Sequence, residues 1–99
     1  KSVMMNTKGE VISVETVSIG TLSNTVVHPR EVFGSAVRKS AAGVIFVHNH
    51  PSGDPKPSEE DILTTERLKK GGEILGIEAL DHIIIGNGTF SSLKAMELL

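Results

Sequence analysis

Four consecutive apolar residues, Val44-Ile45-Phe46-Val47, run straight into His48-Asn49-His50-Pro51. A short unbroken apolar run of this kind belongs to a central strand covered on both sides. Side chains alternate along a strand, so His48 and His50 project together while Asn49 points away. Pro51 has no N–H for a further ladder bond, and the chain must leave the sheet there. The run therefore demands an α/β fold with two imidazoles at the carboxyl end of a middle strand. Sheet ends of this kind, followed by a helix, are common ligand sites.

The flanking sequence supplies the rest of such a fold. Residues 3–6 and 11–19 read as two strands joined by a turn around Thr7-Lys8-Gly9-Glu10. Pro29 suits a first helical position, and a helix ending before Gly43 puts Val32, Phe33, Ala36, Val37 and Ala41 on one face. A Pro- and Gly-rich loop, Pro51 to Pro57, leads into a second helix from Ser58 to about Leu75. Residues 77–85 form another strand, Gly86-Asn87-Gly88 a turn, and Thr89-Phe90 a short strand. Ser91 is placed to cap a short last helix ending in Leu98-Leu99. Strands interleaved with helices predict one α/β domain over residues 1–99, a mixed β-sheet flanked by helices in two or three layers. The chain opens on Lys1 and enters strand-like sequence at once, so it reads as a domain of a longer protein.

Composition narrows the function classes. Ten basic residues against 12 acidic ones give a net charge of −2, with the basic residues scattered, a poor footprint for DNA. With no Trp or Tyr and three Phe, a base-stacking platform is not expected. The absence of Cys excludes disulfides, thiol nucleophiles and thiolate metal sites, and is compatible with a cytoplasmic location. No stretch is long or apolar enough to cross a membrane.

Chemistry concentrates between His48 and Asp61. On the second helix Asp61, Thr65, Leu68, Gly72 and Leu75 share one face at helical spacing, with Gly72 small enough for close backbone approach. A carboxylate turned toward a core must be paired, capped or bound to a cation. One explanation is local: Ser58-Glu59-Glu60-Asp61 resembles a capping box, with Ser58 as N-cap. The other is that His48 and His50 provide a cation site opposite. Two neutral imidazoles and one carboxylate make a three-ligand zinc set with a fourth position for water. Zinc lowers the pKa of that water to about 7 and polarises a substrate carbonyl. Paired histidines at a strand end, a stiff loop and an inward acid on the next helix coincide too well for the cap alone.

A general base is also required, and Glu15 is the candidate, because it interrupts a largely apolar row formed by Val11, Ser13, Val17 and Ile19. A pKa raised by partial burial would suit it to proton shuttling. The Ser58 hydroxyl and the adjacent helix N-terminus can face a developing oxyanion while also capping. His82, after Asp81, reads as an outer partner of the metal ligands or as a satisfied core histidine, the second being favoured, and His28 as a residue at the start of a helix. Arg30 has an open role, anchoring a loop or a substrate carboxylate.

His48-x-His50, seven residues, Ser58, two residues and Asp61 resemble the JAMM motif of MPN-domain metalloproteases. The fuller run His48-Asn49-His50-Pro51-Ser52-Gly53, with Pro57-Ser58 and Asp61, is similar to the RadC branch of that superfamily. The likeness extends to Gly20-Thr21, Pro29-Arg30-Glu31 and Asp81-His82, and so covers nearly the whole chain. The resemblance implies a cytidine-deaminase-like α/β fold and one zinc ion on His48, His50 and Asp61. It implies Glu15 as the catalytic glutamate that holds the attacking water, and Ser58 as the oxyanion-stabilising serine. A helical region before the domain is also implied.

Two readings follow. The leading one is a zinc metallopeptidase acting on a peptide or isopeptide bond of a peptide or protein substrate, through a zinc-activated water. The alternative is a non-catalytic, DNA-repair-associated binding module that retains the fold. A nucleobase deaminase would need a His/Cys/Cys or three-Cys zinc site and an H-x-E signature, which this chain lacks.

Overall fold

Gly43–Asn49, numbered β3, is the middle strand of a five-stranded sheet. The computed structural model describes residues 1–16 and 29–99. Within them lie β1 (Ser2–Met5), β2 (Val11–Glu15), α1 (Pro29–Arg38), β3, α2 (Glu59–Leu75), β4 (Glu78–Ile85) and β5 (Phe90–Ser92). The expected strand residues 17–19, the Gly20-Thr21 pair and His28 lie outside the described residues.

The strand order is β2-β1-β3-β4-β5. β1 pairs antiparallel with both β2 and β3, β3 runs parallel to β4 through the α2 crossover, and β5 returns antiparallel to β4. The mixed α/β sheet expected from the sequence is therefore present. Val44 and Phe46 are buried under the helices, while Ile45 and Val47 on the other face are half-buried. The described residues make two layers, with both helices on the Val44–Phe46 face.

The core explains that placement. Val32, Phe33 and Ala36 of α1 and Leu68 of α2 close over Met4, Val44 and Phe46. The Phe33 and Phe46 rings meet edge to face, 6.1 Å between centroids, worth about 1 kcal/mol beyond the buried area. At Gly72 a Cβ would come within 2.3 Å of the Ile77 carbonyl oxygen and 3.3 Å of Phe33 Cζ. Only glycine lets α2 sit this close to α1 and the start of β4.

Three expectations need correction. Val37 is 52% exposed, because α1 ends at Arg38 and buries only the narrow face of Val32, Phe33 and Ala36. Ala41 reaches the core from beyond the helix, held by its N–H on the Ala36 carbonyl at 2.9 Å. Leu75, at the end of the α2 stripe, is 48% exposed. The short last helix is a set of turns over residues 93–97. Its Ala95 N–H is capped at 3.1 Å by Ser92 rather than Ser91. Glu97 takes a left-handed φ of 61°, which a right-handed helix cannot continue through.

Candidate metal centre

The site lies at the carboxyl end of β3. β1 starts at Ser2, opposite Phe46, whereas β4 accompanies β3 as far as Asn49 opposite Ile85. His48 lies two residues beyond Phe46 on the helix-covered face of β3. The His50 N–H donates to Ile85 O at 3.0 Å, and after Pro51 the Gly53 N–H turns back to His50 O at 2.9 Å. The loop then seats on the β4–β5 turn, where Asn87 N–H donates to Gly53 O at 2.7 Å. A Cβ on Gly86 would lie 2.4 Å from that oxygen and 2.8 Å from Pro55 Cδ, so the seating requires glycine there. Asp54 O comes to rest 2.9 Å from His50 Nδ1.

α2 brings the third side chain. Ser58 is its N-cap, and the capping box expected from the sequence is complete: Ser58 Oγ accepts the Asp61 N–H at 3.0 Å, and Asp61 Oδ2 accepts the Ser58 N–H at 2.8 Å. The same carboxylate faces both imidazoles. Asp61 Oδ2 lies 2.9 Å from His50 Nε2, and Asp61 Oδ1 lies 3.3 Å from His48 Nε2. Capping and convergence on the histidines thus coexist in one residue, since a carboxylate has lone pairs for both. One ligand atom from each of His48, His50 and Asp61 lies within 4.8 Å of the others, so the cluster can hold a metal ion. All three side chains keep some exposure, 25%, 20% and 16%, leaving solvent a way in.

The donor set suits a divalent ion. Asp54 O can only accept, so His50 Nδ1 bears a proton, and Nε2, facing the Asp61 carboxylate, is the nitrogen that a metal would take. Two ligands about 2.0 Å from a tetrahedral zinc lie about 3.3 Å apart, the spacing found between His48 Nε2 and Asp61 Oδ1. Burial lowers the His48 pKa, partly opposed by Asp61, which favours the neutral imidazole that a metal needs. Burial raises the Asp61 pKa, but hydrogen bonds with Ser58 and charge attraction to the two histidines outweigh it, and the net direction is down.

His82 is buried, as expected of a core histidine, yet its ring also joins the cluster. Its Nε2 sits 2.7 Å from His48 Nδ1, and its Nδ1 2.6 Å from Thr65 Oγ1. Burial, then the neighbouring His48, depresses its pKa to about 4. Thr65 belongs to the inward stripe of α2, and a hydroxyl one turn after an inward carboxylate was the signal for it. The β3–β4 register, which sets His82 opposite Phe46 and diagonally beside His48, has no such signal.

Glu15 is not brought into contact with the cluster. It pairs with Ser2, and Ser2 with Phe46, which puts Glu15 two strand spacings from β3, about 10 Å, on the helix-covered face. Its Oε2 accepts from Ser35 Oγ at 2.7 Å and Ser13 Oγ at 3.2 Å, and lies 3.3 Å from Lys39 Nζ. The Ser35 hydrogen bond leads the causes that lower its pKa, so the raised value expected from the sequence is corrected. Nothing in the periodicity of α1 singled out Ser35 or Lys39 as its partners. Arg30 is exposed.

A family profile described as a RadC-like JAB domain matches residues 1–98. A UPF0758 protein of Desulforamulus reducens is 59% identical over 98 residues, 99% of this chain and 43% of that protein. One of Moorella thermoacetica is 56% identical over 99 residues, 100% of this chain and 43% of the relative. One of Methanosarcina mazei is 60% identical over 90 residues, 91% and 39%. The chain thus spans about two fifths of the length of the curated relatives it matches. With the match running almost from end to end and the His48–His50–Asp61 cluster in place, the chain belongs to the RadC-like JAB domain family.

Proposed function

We propose that the domain is a zinc-dependent hydrolase that cleaves a peptide or isopeptide bond. The observation that carries the reading is the meeting of one ligand atom each from His48, His50 and Asp61 within 4.8 Å at the carboxyl end of β3. When bound there, zinc supplies Lewis acidity and a water that ionises near neutral pH. Ser58 accepts from the Asp61 N–H through its oxygen, which leaves its own hydrogen free to donate to an oxyanion. Glu15 is the proposed proton carrier; reaching a substrate would require it to leave Ser35 and Lys39.

Protein purified without added metal is expected to carry one zinc per chain at neutral pH, and His48→Ala to carry none. The full-length protein is expected to cleave members of a peptide or isopeptide library, with Glu15→Gln inactive but still metal-loaded. Metal-free wild type at neutral pH would remove the reading.

A second reading draws on Glu15 itself. Two hydroxyls and a lysine hold its carboxylate, which supports a non-catalytic binding module that keeps the metal and the fold. Unchanged partner binding by Glu15→Gln, with no turnover by wild type, would favour it. Peptide or protein substrates, a preceding helical region of the same chain and a cytoplasmic location belong to the proposal. Among the described residues no helix is long and apolar enough to cross a membrane.

A further inference from the structure

The hydrogen atoms around His48 can be placed from the heavy atoms alone. Thr65 Oγ1 lies 2.7 Å from the Asp61 main-chain oxygen. A carbonyl oxygen cannot donate, and two oxygens at that distance need a hydrogen between them, so the only hydroxyl hydrogen of Thr65 points there. Thr65 Oγ1 therefore meets His82 Nδ1, 2.6 Å away, as an acceptor, and Nδ1 carries the His82 proton. His82 is 4% exposed and its ring touches Phe46, His48 and Thr65, with no carboxylate hydrogen-bonded to the ring among the described residues. A buried imidazole without an acid partner holds one proton, so His82 Nε2 presents a lone pair. That lone pair sits 2.7 Å from His48 Nδ1, which must donate.

We infer that Thr65 and His82 hold His48 in the single tautomer able to coordinate, with its proton on Nδ1 and a bare Nε2 turned to the site. The relay begins and ends on one residue. The main-chain oxygen of Asp61 orients Thr65, and the Asp61 carboxylate faces the resulting His48 Nε2 at 3.3 Å. Outer partners of metal-bound histidines are usually carboxylates, carbonyls or water, which fix the ring and its tautomer. Here a neutral imidazole does so, and its polarity is set one hydrogen bond farther out. Thr65 and His82 are positioning residues; neither touches the ligand side of the cluster.

The inference rests on the zinc reading only for its consequence, so the test has two readouts. In metal-free wild type above pH 7, the nitrogen-15 NMR shifts of the His48 ring are expected to show the Nδ1–H tautomer. Thr65→Val removes the hydroxyl at nearly constant shape, and should leave His48 a mixture of tautomers. In competition with a chromophoric chelator, its zinc affinity is expected to fall about 10- to 100-fold. Thr65→Ser should restore both. A wild-type His48 in the Nε2–H tautomer would overturn the inference, whatever the variants do. So would a folded Thr65→Val protein with unchanged tautomer and zinc affinity. A wild type that shows the Nδ1–H tautomer but takes no zinc would support the relay and sink the hydrolase reading alone.

Discussion

Ser58 and Asp61 cap one another: the Ser58 N–H donates to Asp61 Oδ2 at 2.8 Å, and the Asp61 N–H donates to Ser58 Oγ at 3.0 Å. The first turn of α2 is thereby tied to the cluster. Ser58→Ala should cost about 1 kcal/mol by loss of the cap, whereas Ser58→Gly should cost only a few tenths. If the hydroxyl also steadies an oxyanion, both should lose about 10²- to 10³-fold in turnover. Urea unfolding beside turnover measurement separates the two roles. Activity that followed stability, with glycine near wild type, would leave Ser58 as a cap only.

Asp61→Asn preserves an oxygen for the Ser58 N–H while removing the charge that faces the histidines. The helix should persist by circular dichroism. Zinc affinity should fall by more than about 100-fold, the upper end of what losing an outer partner costs. Retained stoichiometric zinc would argue that Asp61 is a cap and not a ligand.

The depressed pKa of Glu15, caused first by the Ser35 hydroxyl, gives a signed prediction. The base form persists below the ordinary glutamate range of about 4.3, so loss of this base on acidification begins only there. Glu15→Gln should lower turnover about 10²- to 10⁴-fold without releasing metal. Ser35→Ala should move the Glu15 titration up, measurable by carbon-13 NMR of its carboxyl. An acid limb of activity well above pH 5 in wild type would point to a different base.

Stability of the metal-free protein should fall with acidification earlier than carboxylates alone would cause. His82 titrates near 4 when folded and near 6.5 when unfolded, so between these values the unfolded chain binds the extra proton. Stability is complete above about pH 6.5 and declines toward pH 4, by up to about 3 kcal/mol. Asp61 and Glu15, both lowered, add losses only at more acidic pH. Urea midpoints at pH 7 and pH 4.5 measure the slope. His82→Gln should flatten it across that window.

Helix propensity alone would make Gly72→Ala stabilising by up to about 1 kcal/mol. With Ile77 O only 2.3 Å from the new Cβ and Phe33 Cζ at 3.3 Å, the expected result is a loss of about 1–3 kcal/mol. Denaturant unfolding decides the sign.

Local pattern was enough to read the middle strand, the two helices and the His48–His50 pair, because alternation, helical spacing and Pro or Gly punctuation act within a few residues. It also read the two duties of Asp61, since the capping box and the inward stripe are both spacings along one helix. Spacing could not set the β3–β4 register, which places His82 opposite Phe46 and within ring reach of His48. Nor could it align Ser35 and Lys39 with Glu15, because those contacts join an edge strand to a helix through packing. The raised pKa expected for Glu15 failed for that reason: burial can be inferred from periodicity, but the hydroxyls and ammonium that outweigh it come from elsewhere in the chain. Tertiary structure likewise turned the last predicted helix into turns, with Glu97 in the left-handed region.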